Sequence, residues 1–197
     1  MPSAAPPPSL DGRAAADLEF IRATMARSRT FTAVPGAGGA VMGVVGLAGA
    51  SVAARQPSGD AWLVTWLATA AVAALVGIVG IRRKAALAGE PLDGAAARRF
   101  SASLAAPLVA GALITFGLWQ AGAWNLMPAV WLLLYGAGTI TGGAFSVPTV
   151  GVFGLAMMAM GAATLVTPPA WGNLWLAAGF GGLHLGFGAY IARYHGG

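Results

Sequence analysis

The chain of 197 residues has no cysteine, which excludes disulfide stapling and thiolate metal sites. Charge is nearly as scarce. Asp, Glu, Lys and Arg make up 9% of the residues, against about 25% in an average soluble domain. So few charges cannot cover the outside of a soluble fold of this size. The acids are Asp11, Asp17, Glu19, Asp60, Glu90 and Asp93, and none lies in a long apolar run. Paired carboxylates for acid–base chemistry within such a run are therefore missing. Histidine occurs as His184 and His195 only, with no second ligand at helical spacing, so no zinc or di-iron set is available and no metal or cofactor site is expected. A phosphate-cradling loop and a dinucleotide fingerprint are absent too; the glycines after Pro35 run straight into an apolar stretch.

What is abundant is apolar: 57% of the residues are hydrophobic, and 30 are glycine. Residues 30–54, 61–81 and 100–192 contain no Asp, Glu, Lys or Arg. About 20 apolar residues cross a bilayer, so each short run holds one helix and the long run holds several. Turn chemistry divides the long run at residues 120–128, at Ser146-Val147-Pro148 and around Pro168-Pro169. The pattern predicts an all-α polytopic membrane protein with six spans, near 32–53, 62–81, 102–120, 127–145, 148–167 and 171–193, forming one domain over 31–194. Helices are required because lipid satisfies no open backbone group, and the alternation of a barrel strand is missing. Pro35 and Pro107 fall near predicted span starts, where proline costs little. Residues 1–30 read as a cytoplasmic tail, with an amphipathic helix over 11–29 that sets Leu18, Ile21 and Met25 on one side.

Basic residues mark the cytoplasmic side. Six spans with both termini inside gather Arg13, Arg22, Arg27, Arg29, Arg82, Arg83, Lys84, Arg98, Arg99 and Arg193 on that side and leave Arg55 opposite. The tryptophans Trp62, Trp66, Trp119, Trp124, Trp131, Trp171 and Trp175 all fall at outer ends in the same arrangement, as a headgroup girdle would. Gly39/Gly43, Gly138/Gly142 and Gly182/Gly186 carry the small-residue spacing of close helix contacts, expected within the chain rather than between copies. Residues 135–145 can also be laid on 180–190 without a gap, while Trp131 and Trp175 before them stand one residue out of step.

His184 is the ionisable side chain that falls well inside a span, about 3 Å from its centre at 1.5 Å per residue. A polar group at that depth needs a partner and is the first functional suspect. Span four runs in the same direction and offers Tyr135, Thr139 and Thr141 at similar depth, with Thr115 on span three as further lining. His184, Tyr135, Thr139 and Thr141 are the candidate substrate- or partner-binding set. Met157 and Met158 lie near the middle of span five but read as apolar filler rather than haem ligands. The basic stretch 82–99 serves as a topology signal and could meet anionic headgroups. Its charges are split between short membrane-bound segments, which disfavours nucleic acid.

Leu18-Glu19-Phe20-Ile21-Arg22, Phe31-Thr32-Ala33-Val34-Pro35-Gly36, Trp131-Leu132-Leu133-Leu134-Tyr135-Gly136 and Pro168-Pro169-Ala170-Trp171-Gly172-Asn173 together resemble a group of small bacterial six-span membrane proteins. The final glycine-rich hairpin is similar, more faintly, to the acid-resistance membrane proteins. The first resemblance covers most of the chain. It implies a bacterial inner-membrane protein and transfers no catalytic residue. The expectation is a non-catalytic interaction or accessory module, with the bilayer, a second copy, or a protein met through residues 11–29 as partner. A small oligomeric transporter or channel with a polar path around His184 is the alternative, and a membrane enzyme or haem- or quinone-binding protein comes third.

Overall fold

The computed structural model describes residues 17–21 and 31–194. Residues 17–21 are helical and exposed; the rest of the expected amphipathic helix, its docking role and His195 lie outside the described residues. Six helices long and apolar enough to cross a membrane follow. They are α1 Gly36–Ala53, α2 Gly59–Ala88, α3 Ala95–Gln120, α4 Trp124–Gly143, α5 Pro148–Val166 and α6 Pro169–Tyr194. Their ends follow from local chemistry. Ser58 Oγ accepts from Ala61 N at 3.2 Å to start α2. Gly89 ends it at φ 62°, a left-handed conformation that suits glycine. Pro128, Pro148 and Pro169 sit in the first turns of α4, α5 and α6, where a missing N–H costs nothing.

Two helices are longer than the apolar pattern suggests, because good helix formers carry α2 past residue 81 and start α3 before residue 102. One expectation falls with this. Pro107 lies inside α3 rather than near its start. Its ring removes the bond to the carbonyl four residues back. Thr141 Oγ1 on α4 reaches that Ser103 carbonyl at 3.0 Å across the helix pair and shares its one hydrogen with Ala137 O and Gly138 O of its own helix, at 3.0 and 3.1 Å.

The helices pack as two groups. α1 runs antiparallel to both α2 and α6, with Gly39 against Gly188 and Gly46 against Phe180. α4 runs antiparallel to α3 and α5, with Gly138 against Leu104 and Gly136 against Gly154. α4 and α6 lie side by side and parallel, Pro128 level with Gly172 and Tyr135 with His184. Gly39, Gly43, Gly138 and Gly142 thus face neighbours within the chain, whereas Gly182 and Gly186 face open space.

The two ends differ. At one end Phe31, Ala33, Ala85, Ala97, Phe100 and Val150 form a buried cluster. It is tied by Ser146 Oγ donating to Phe31 O at 2.7 Å and by Thr32 Oγ1 donating to Glu90 Oε2 at 2.9 Å. The tryptophans hold the other end. Their girdle reading is corrected in part: Trp66 is buried, and Trp62, Trp131 and Trp175 are half-buried in the core. Five indoles donate to protein acceptors, Trp62 and Trp66 to Asn173, Trp119 to Asp60, Trp131 to Thr115 and Trp175 to Thr167.

Candidate functional site

α6 is not a plain α-helix. Residues Ala177–Leu183 form a π-helical stretch, in which i→i+5 bonding takes up an additional residue. Five positions separate Trp175 from Phe180 where four separate Trp131 from Tyr135, and the extra residue is absorbed in that stretch. One residue corresponds to about 100° of rotation in a helix, so the π turn decides which way His184 faces. It faces α4 and α5. Tyr135 Oη lies 3.0 Å from His184 Nε2, and Nδ1 lies 3.4 Å from Gly179 O. A carbonyl only accepts, so Nδ1 carries the hydrogen and Nε2 accepts from the Tyr135 hydroxyl. The ring sits edge-on to Phe153, centroids 4.8 Å apart, with Phe180 on another side at 6.0 Å.

Tyr135 therefore meets His184, but the two threonines placed with it in the candidate set do not. Thr139 Oγ1 returns to its own helix, donating to Gly136 O at 2.9 Å. Thr141 Oγ1 faces Ser103 O of α3 at 3.0 Å and lies as near to Ala137 O and Gly138 O of its own helix, at 3.0 and 3.1 Å. Hydroxyls in apolar helices commonly bond back to carbonyls three or four residues earlier, and both threonines are placed to do so.

A cleft of about 340 Å³ opens beside this pair. α2 and α3 are consecutive, yet their backbones scarcely meet. Trp119 Nε1 donates to Asp60 Oδ1 at 2.8 Å across one end, and Ala85 packs with Ala97 and Phe100 at the other. Between these ties the helices part. Ala70, Ala73 and Ala74 line one wall, and Pro107, Leu108 and Ala112 the other. Tyr135, Phe180 and His184 contribute to the floor. The lining is almost entirely apolar, and its hydrogen-bond donors are spent inside the protein. Trp66 Nε1 donates to Asn173 Oδ1 at 3.0 Å, Trp131 Nε1 to Thr115 Oγ1 at 2.8 Å, Thr115 Oγ1 to Gly111 O at 2.7 Å and Thr69 Oγ1 to Thr65 O at 2.8 Å.

Asn173 is the polar residue that sequence reasoning passed over. Its Oδ1 accepts from both Trp62 and Trp66, and its Nδ2 donates to Ala50 O at 3.0 Å, so it joins α1, α2 and α6. An amide just after a Pro-Pro turn, among tryptophans, was the available signal. No family model, curated protein or solved structure matches this chain. Fold and site define a multi-pass helical membrane protein with an apolar lateral cleft, and its function rests on that geometry.

Proposed function

We propose that this protein is a non-catalytic binding module that admits an apolar chain from the bilayer into the cleft between α2 and α3. The observation that carries the reading is a large apolar space whose lining offers no unspent hydrogen-bond donor. At roughly 24 cal/mol per Å³ an enclosed void of 340 Å³ would cost about 8 kcal/mol if left empty. The lateral opening makes that an upper bound. Water gains little there without two to four polar partners, whereas a hydrocarbon chain restores the missing dispersion contacts. A polar solute would have to break the Tyr135–His184 and Trp131–Thr115 bonds to be recognised, so the arrangement supports binding over a polar transport path. The sequence resemblance supports a bacterial inner-membrane location for the protein, and the distribution of Arg and Lys supports a basic end that faces the cytoplasm.

Trp66 and Trp131 line the cleft and report its occupancy. In proteoliposomes containing a minor fraction of phosphatidylcholine brominated near the chain end, their emission should be quenched. Ala73→Phe with Ala112→Phe fills the cleft and should remove most of that quenching while the fold persists. Undiminished quenching in the double variant would refute the reading.

A further inference from the structure

The connections α1–α2, α3–α4 and α5–α6 all fall at the tryptophan-bearing end, and three chain segments meet there around an open cup. Residues 56–59 form one side, Trp124 and Asn125 in the first turn of α4 a second, and Pro169 and Ala170 in the first turn of α6 a third. The cup holds about 420 Å³, within the range of small-molecule sites. It is distinct from the cleft between α2 and α3, with which it shares no lining residue. Trp62 lines the cup and Trp131 the cleft, and their rings stack with centroids 5.5 Å apart.

The two spaces are opposite in chemistry. The cleft has spent its donors, whereas the cup has not. Asn125 is exposed, and among the described residues its amide has no hydrogen-bond partner, so it offers two hydrogens and an acceptor oxygen. The Trp124 indole N–H is unused in the same sense. Gln56 donates Nε2 to Val52 O at 3.1 Å and keeps Oε1, while Ser58 Oγ accepts from Ala61 N and keeps its hydrogen. None of the lining residues is charged. The charged neighbours in sequence are engaged elsewhere: Arg55 Nη1 donates to Ser51 O at 2.6 Å, and Asp60 Oδ1 accepts from Trp119 at 2.8 Å.

An ion seated in the cup would lose water without gaining a counter-charge. A hydrocarbon would leave the amides nothing to bond. The lining suits a neutral ring whose rim carries hydroxyls, each able to donate and to accept, and whose C–H faces can lie on indole and proline. We infer that the cup binds a neutral sugar, held by Gln56, Ser58, Trp124 and Asn125. A free sugar and the headgroup of a neutral glycolipid share this chemistry. The site does not depend on the cleft reading.

Two-dimensional ¹⁵N–¹H NMR of the full-length protein in phosphatidylcholine nanodiscs reads the Asn125 side-chain amide and the Trp124 indole directly. The probes are the methyl glycosides of glucose, galactose, mannose and N-acetylglucosamine, and diacylglycerols carrying the same sugars. At least one should shift both resonances to saturation. Gln56→Leu, and Asn125→Leu followed through the Trp124 indole, should each raise the half-saturating concentration roughly fivefold, as loss of one hydrogen bond does. Gln120→Leu removes an exposed amide at the same end but outside the cup and should change nothing, as should Ala73→Phe with Ala112→Phe. Response to free glycosides assigns the cup to the sugar as such, and response to the glycolipids alone assigns it to a membrane-borne headgroup; both support the site. No saturable shift with any of these probes, or a loss in Gln120→Leu as large as in Asn125→Leu, would overturn it. So would a proline-rich peptide that shifts the two resonances when no sugar does.

Discussion

Two pairs of consecutive helices in this molecule meet in opposite ways. α4 and α5 close on each other through Gly136, Gly143 and Gly154, leaving no space for a methyl group. α2 and α3 stay apart and leave the cleft. The difference lies in where small residues point. On α2, Gly77 and Gly80 face α1; on α3, Gly111 faces Leu134 of α4. Neither helix presents a glycine to the other. In lipid, helices associate by close van der Waals fit rather than by expulsion of water, so a pair without such a seam has little to draw it together. Alanines and a proline then border a gap that a lipid chain can fill.

The contrast breaks most severely at the closed seam. A Cβ on Gly154 would lie 2.6 Å from Gly136 O, a clash with backbone that no rotamer relieves. Gly154→Leu should cost about 3 kcal/mol or more, seen as loss of the monodisperse species in detergent. Next comes Asn173→Leu, which strands the Trp62 and Trp66 indoles and removes the tie to Ala50. The expected loss is about 2–3 kcal/mol, read as a lower thermal midpoint. Tyr135→Phe removes a single hydrogen bond and should cost about 1 kcal/mol. It should shift the His184 ring nitrogen resonances, because Nε2 loses its donor, yet leave quenching by chain-brominated lipid unchanged. The smallest effect belongs to Gly182→Ala. A Cβ there meets nothing within 4 Å, so stability should stay within about 0.5 kcal/mol. A large loss there would show that the outward stripe is also a packed seam.

The first two spans were legible directly, because charge is excluded from hydrocarbon and each fills a charge-free run of its own, whereas the four within 100–192 were separated only by Gly, Asn and Pro turn chemistry. Pro107 was misplaced for the same reason, since charge reports the membrane boundary and not the helix boundary. α3 begins at Ala95, well before its apolar part. The meeting of Tyr135 and His184 could be anticipated from depth and direction alone. The threonines could not be sorted that way, because their rotation about α4, not their depth, turns both away from His184, Thr139 to Gly136 and Thr141 to Ser103 and its own helix. The π turn left a trace, the extra residue between Trp175 and Phe180, readable only against the parallel helix. The cleft left none. It arises from two helices failing to touch, and residue patterns record contacts far better than gaps.

Photolabelling with a phospholipid that carries a diazirine near the end of its acyl chain, followed by peptide mapping, asks most directly whether a chain enters between α2 and α3. Adducts on the inward-facing Met42, Leu134 and Tyr135, lost in Ala73→Phe with Ala112→Phe, should appear if it does. Labelling confined to outward side chains such as Val64, Leu113 and Leu155, with those three inner residues untouched, would show that the cleft stays empty of lipid.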